Sequence, residues 1–191
     1  MKRTFKYFLV TAAILSLGGS GSAQQVSATW PLTNPAVGGT GVTVQIQGQI
    51  QGEDESLAGT LLINQYTGPN NSQRIKLNLW PVNQLTQIDT VFIQYQVRPS
   101  PSYTLHIDSV ALALGANSTQ DMMANLYYSK DETFTAKTKV DYVTSVGPRV
   151  GKPAGVFLSN IVLDPISFAP DVDIAENERF YFRIYPWVDS S

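Results

Sequence analysis

What most restricts the fold of this chain is a period-two alternation of apolar and polar residues, repeated in short runs and cut by Gly, Pro, Asn, Asp and Ser. Val42, Val44, Ile46 and Ile50 alternate with Thr43, Gln45, Gln47 and Gln49, and Val91, Ile93, Tyr95 and Val97 alternate with Phe92, Gln94, Gln96 and Arg98. A period of two places successive side chains on opposite faces of a strand, one buried and one wet. Residues 61–66, 74–79, 103–114, 122–129, 139–144, 156–163 and 179–185 read as further strands. Helical spacing of apolar residues at i, i+3, i+4 and i+7 is not sustained beyond about 10 residues anywhere after residue 23 without Gly, Pro or a β-rich interruption. The pattern predicts an all-β fold with little helix, an antiparallel β-sandwich of jelly-roll or Ig-like type with about nine to ten strands.

The first 23 residues follow another rule. Lys2, Arg3 and Lys6 make the start basic, residues 7–17 are largely apolar, and Gly21-Ser22-Ala23 is small and precedes a polar stretch. That is the layout of a secretory signal peptide cut after Ala23. The apolar run of about 11 residues is too short to cross a hydrocarbon layer of roughly 30 Å, and no later run approaches the roughly 20 residues a spanning helix needs. The expected organisation is a signal peptide over 1–23, an N-terminal arm over 24–41 ending in the hinge Gly38-Gly39-Thr40-Gly41, and a sandwich over 42–191. The arm either packs on the sandwich as an edge strand or reaches a neighbouring molecule. The expected location is secreted: extracellular or at the cell surface, with the periplasm as the alternative.

Cleavage would lower the cationic side chains from 13 to 10, because Lys2, Arg3 and Lys6 leave, against 15 acidic ones. A net-negative chain without a basic run is a poor partner for nucleic acid or anionic lipid, both of which demand clustered Lys and Arg. Cysteine is absent. Thiolate metal sites, cysteine nucleophiles and a lipoprotein anchor are thereby excluded, and stability must come from the core without disulfides.

Catalytic constellations do not emerge. His106 is the one histidine, and in the run 103–108 it alternates with Leu105 and Ile107, which makes it a residue of the wet face. No Gly-x-Ser-x-Gly elbow accompanies it, so a Ser-His-Asp hydrolase is excluded and no catalytic residue is assigned. Acids gather at Glu53-Asp54-Glu55 and at Asp171, Asp173, Glu176 and Glu178. The plain reading is solvated acidic loops that blunt sheet edges. Calcium is the weaker one, with Asp171, Asp173 and Glu176 supplying part of the six to eight oxygens the ion takes; no other cofactor is expected.

The aromatic residues carry more information. Each tryptophan adjoins a proline, in Trp30-Pro31, Trp80-Pro81 and Pro186-Trp187, and proline lacks the ladder donor, which marks strand ends or edges. Along 180–187 the alternation puts Phe180, Phe182 and Ile184 on one face and Tyr181, Arg183, Tyr185 and Trp187 on the other. Left exposed, the second face would be a stacking platform for sugar rings or a protein partner, extended by Trp80 or Trp30. Covered, its rings would stack on neighbours, with Arg183 over an aromatic ring. Gln45, Gln47 and Gln49, with Gln94 and Gln96, read as amide rows on outer faces, able to bond sugar hydroxyls or to pair with another strand.

Three stretches together carry a resemblance: Ala28-Thr29-Trp30-Pro31-Leu32, Met123-Ala124-Asn125-Leu126-Tyr127-Tyr128-Ser129-Lys130-Asp131 with Phe134, and residues 180–187. They resemble the β-sandwich accessory domain that accompanies secreted bacterial pectate lyases and other polysaccharide-degrading proteins. The resemblance implies a sandwich fold and a carbohydrate-associated setting, and it brings no established ligand residues. The expected function is non-catalytic carbohydrate binding through Tyr181, Arg183, Tyr185 and Trp187. The alternative is a structural subunit of an extracellular assembly or filament, built by strand addition between protomers. The expected partner is correspondingly a polysaccharide, another extracellular protein, or further copies of the chain.

Overall fold

The computed structural model describes residues 4–15, 24–32, 41–64, 73–76, 81, 84–117, 122–145, 156–157 and 163–188. Among them there is no helix. The strands are β1 (Thr4–Leu15), β2 (Gln24–Trp30), β3 (Gln45–Gln47), β4 (Ile50–Leu57), β5 (Leu62–Asn64), β6 (Gln73–Lys76), β7 (Ile93–Pro99), β8 (Leu105–Asn117), β9 (Met122–Ser129), β10 (Thr138–Lys139), β11 (Val156–Phe157), β12 (Asp164–Phe168), β13 (Val172–Ile174) and β14 (Phe180–Val188). One sheet runs β12-β8-β1-β2-β3, with β13 also on β8 and the β5-β6 pair also on β1; the other runs β10-β9-β14-β7-β4, with β11 also on β9. Every strand pairing among the described residues is antiparallel. The fold is all-β and consistent with a β-sandwich.

The buried faces of the two sheets meet in one core. Val26, Ala28, Trp30, Leu112 and Leu114 of the first sheet join Ile93, Tyr95, Leu126, Phe182 and Ile184 of the second. Trp30 meets Tyr95 edge-on at 5.1 Å between ring centres, and Phe168 meets Tyr128 and Phe182 at 6.2 and 5.6 Å. Such pairs add to the area term that drives burial.

Two β-bulges decide which side chains point inward. Between Glu53 and Ser56 the register of β4 against β7 slips, so the inward parity passes from Ile50 to Glu55. The Glu55 carboxylate is 3% exposed and accepts from Gln73 Nε2 at 2.5 Å and from the Tyr95 hydroxyl at 2.7 Å. A period-two reading cannot place such a residue, because one extra residue inverts every face beyond it. On β8 the buried positions likewise pass from Leu105 and Ile107 to Val110, Leu112, Leu114 and Ala116.

Several sequence expectations change. The alternating run 42–50 is not one strand: at Gly48, whose φ is +88°, the chain turns from β3 in the first sheet to β4 in the second. A Cβ there would lie 2.2 Å from Val26 Cγ1, so glycine is required by both conformation and space. Strand β13 occupies a stretch that reads as acidic loop, and β12 lies where no strand was expected. The arm does form a strand, β2, but between β1 and β3 rather than at an edge. Residues 33–40, with most of the glycine hinge, lie outside the described residues, as do 1–3, 16–23, 65–66, 77–79 and 158–162 of the expected signal peptide and strands.

Candidate functional site

The aromatic strip is the first candidate, and it is covered. Tyr181, Arg183, Tyr185 and Trp187 are 3%, 8%, 1% and 1% exposed, so both faces of β14 are buried. The covering comes from the loop after β9 and the segment before β7. Asp131 shapes the first: its carboxylate accepts from Thr133 N, Thr135 N and the Thr133 hydroxyl at 2.9, 2.9 and 2.8 Å. These bonds, led by those from Thr133, hold the Asp131 carboxyl below its usual pKa range. They also hold Phe134 at φ +57°, in the left-handed region that a bulky residue rarely enters.

Phe134 is thereby turned onto β14, where its ring lies 3.8 Å from the Arg183 guanidinium carbon, and Phe92 covers the opposite face at 3.9 Å. The cation is clamped between two rings. Its donors go to neutral acceptors in the plane: Gln94 Oε1 at 2.7 Å, the Glu132 carbonyl at 2.9 Å and the Tyr185 hydroxyl at 3.3 Å. Tyr185 meets Phe92 and Tyr127 at 5.6 Å each, with the Lys137 ammonium above both tyrosines. Burial holds the Tyr185 phenol above its usual pKa range. Trp187 packs on Met123, and its Nε1 is buried without an acceptor among the described residues.

This arrangement corrects the reading of Tyr181, Arg183, Tyr185 and Trp187 as an exposed platform. Trp30 cannot extend one either, since it is 1% exposed and donates from Nε1 to the Glu53 carbonyl at 2.9 Å. Trp80 lies outside the described residues. The second amide row is also not an outer face: Gln94 serves Arg183, and Gln96 is 7% exposed. Gln45 and Gln47 are exposed, on the edge strand β3.

The acidic residues divide. Asp173 bonds His106 Nδ1 at 2.8 Å, and Asp108 and Asp171 each approach its Nε2 at 3.3 Å. The hydrogen bond to Asp173 and the three carboxylate charges raise the His106 pKa above 6.5. Glu176 instead caps the Ser102 amide at 2.7 Å, and Glu178 pairs with Lys130 at 2.6 Å. Asp171, Asp173 and Glu176 therefore do not converge on one point, and no group of three or more His, Asp or Glu among the described residues is arranged to hold a metal. A recess bounded by Gly52, Glu53, Gln96, Arg98 and Arg179 has a volume of about 70 Å³, with an Arg179 to Glu53 ion pair of 3.0 Å beside it. Ligand pockets run from about 300 Å³, so it suits ordered water rather than a sugar ring.

The second candidate is a strand position. Strand β1 lies between β8 on one side and β6 and β2 on the other. Its register on β8 runs from Thr4↔Asn117 to Ile14↔His106, on β6 from Thr4↔Lys76 to Tyr7↔Gln73, and on β2 from Leu9↔Trp30 to Leu15↔Gln24. By contrast β2 is held to β3 only at Ser27, Ala28 and Thr29. The strand that ties this sheet together thus lies in the stretch expected from its sequence to be a signal peptide. No helix among the described residues is long and apolar enough to cross a membrane.

Comparison with protein-family models, curated proteins and solved structures gives no match to the chain.

Proposed function

We propose that this chain is a secreted, non-catalytic structural subunit of an extracellular assembly, a β-sandwich whose protomers are joined by strand addition. One observation carries the reading: Thr4–Leu15, the leader-like segment, occupies an interior position of a sheet. Adjacent strands lie about 4.8 Å apart, so loss of β1 after cleavage at Ala23 leaves β8 and β2 roughly 10 Å apart. Each buried backbone donor or acceptor left unpaired along that gap costs about 1–3 kcal/mol. A sheet with such a gap is driven to acquire a strand. Addition of a strand from a neighbour satisfies the backbone and covers the core together.

Carbohydrate binding is the weaker reading, because the residues chosen for it are buried under loops. The test is light scattering after size exclusion, with electron microscopy, on the chain that begins at Gln24. Particles much larger than a protomer, growing with concentration, are expected. A monodisperse monomer over a wide concentration range would refute the proposal, and retention of pectin fragments by that monomer would restore the carbohydrate reading.

A further inference from the structure

We infer that the position held by Thr4–Leu15 is the acceptor for the N-terminal arm of a second copy, residues 24–32, entering antiparallel to β8. The inference rests on the strand-addition reading above and names its donor.

A position flanked by strands on both sides is entered most simply by a chain terminus, since an internal segment must bring two connections with it. Cleavage after Ala23 makes such a terminus at Gln24. The same cut loosens it, because β2 loses its long pairing with β1 and keeps the three-residue ladder with the exposed strand β3, its core contacts and the Trp30 bond to the Glu53 carbonyl. The arm also has the required pattern. Val26, Ala28, Trp30 and Leu32 are buried, and Ser27, Thr29 and Pro31, alternating with them, are half-buried. On β8 the core-facing residues beside the gap are Val110, Leu112, Leu114 and Ala116. Laid antiparallel, Val26, Ala28, Trp30 and Leu32 fall opposite Ala116, Leu114, Leu112 and Val110, apolar against apolar at every second position.

Direction excludes the chain's own arm as the simple occupant. Strand β2 is antiparallel to β1, and β1 is antiparallel to β8, so β2 runs parallel to β8. Sliding sideways into the gap, it would form a parallel ladder and abandon β3; to pair antiparallel it would have to reverse. An arm from a second copy arrives in the correct direction. Each protomer then gives its arm and receives one, so that with β2 gone the acceptor position lies between β8 and β6, and Val26, Ala28 and Trp30 of one arm lie against β8 in every protomer except at one end of the array. Donor and acceptor surfaces differ, which makes the contact heterologous and open-ended, the geometry of a filament.

The test uses the cysteine-free background in two chains that both start at Gln24. One carries Ala28→Cys; the other carries Leu114→Cys, with Leu112→Cys and Ala116→Cys as register controls. Residues directly opposite in a ladder lie about 4.5–5.5 Å apart, within disulfide reach. Mixed and oxidised, the 28/114 pair is expected to give a crosslinked heterodimer at least tenfold more abundantly than either control. A synthetic peptide of residues 4–15, added in excess before assembly, is expected to reduce the particles to protomers by filling the acceptor. Assembly that proceeds without the crosslink and ignores the peptide overturns this inference while leaving the subunit reading standing. A chain that stays monomeric at every concentration overturns both.

Discussion

Replacing Arg183 tests whether the two rings and three acceptors around it hold the outer layer onto β14. In Arg183→Ala the guanidinium leaves Phe92, Phe134, Gln94 Oε1 and the Glu132 carbonyl without their partner. A desolvated cation–π contact is worth about 2 kcal/mol, and a hydrogen bond from a charged donor about 1.5–3 kcal/mol. Against these stand the desolvation of the cation and about 2 kcal/mol of rotamer entropy. The net loss on truncation is therefore about 3–5 kcal/mol, a large part of the 5–15 kcal/mol typical of a domain. With a urea slope of about 2 kcal/mol/M the midpoint falls by roughly 2 M. Arg183→Met keeps bulk and removes charge, and should recover less than half of that loss. Arg183→Lys keeps the charge but not the planar fork, and should lie between wild type and Arg183→Met. The assay is equilibrium urea unfolding of the chain spanning residues 1–191, alongside trypsin cleavage at Lys130 and Lys137, which should accelerate as the loop lifts. A midpoint for Arg183→Ala within 0.25 M of wild type, with unchanged cleavage, would refute the clamp.

Three further outcomes follow from the same geometry. His106 faces Asp173, Asp108 and Asp171, with the Lys130 ammonium on the Asp173 carbonyl at 3.1 Å, and the carboxylates prevail to raise its pKa. The stabilisation from protonated His106 is fully present below pH 6.5, is lost as pH rises through the raised folded value, and weakens with salt. As the one histidine, its ring proton can be followed by NMR titration, and a midpoint below 6.5 would contradict the cluster. Gly41→Ala would put a Cβ 1.5 Å from the Glu55 carbonyl oxygen, forcing backbone apart where Glu55 N donates to the Val42 carbonyl. A loss of about 2–4 kcal/mol is expected by urea unfolding, and a change below 0.5 kcal/mol would show that the two segments separate freely. Because the Trp187 Nε1 has no acceptor among the described residues, Trp187→Phe should cost less than half of the roughly 3–5 kcal/mol expected for Trp187→Ala; equal losses would reveal a bond from the indole.

Period two was enough to find the strands with one wet and one dry face. It also located 122–129, which match β9, and 179–185, most of β14, although both faces of β14 are dry and the strand runs on to Val188; the absence of helix among the described residues follows from the same periodicity. It failed where parity is reset or where a turn hides inside the alternation. Glu55 is inward because of a bulge, and the run through Ile46 and Ile50 folds at Gly48. The strip on β14 had the correct side chains on the correct faces. What alternation cannot say is whether a polar-looking face is wet, because the layer over it comes from loops whose shape depends on one carboxylate, that of Asp131, and one residue at positive φ, Phe134. The clue in the sequence was Arg183 among aromatic residues, a pattern that serves equally for a ligand platform and for a cation clamped between rings.

The leader-like segment shows how two patterns can share one stretch of chain. A signal peptide needs an apolar run of modest length, and an interior strand needs apolar residues with high β propensity; residues 4–15 satisfy both. That coincidence matters because a sheet position is defined by its neighbours and not by its occupant. Val110, Leu112, Leu114 and Ala116 on β8 set what can lie beside them, and any strand of the right direction and apolar period meets the requirement. In a chain that keeps residues 4–15 the requirement is met internally, and edges remain the only route to a neighbour. In a chain that begins at Gln24 the most demanding interaction of the first sheet can be satisfied only by rearrangement or by a second copy. Association by that route would return to β8 the backbone pairing that β1 supplies in the uncleaved chain.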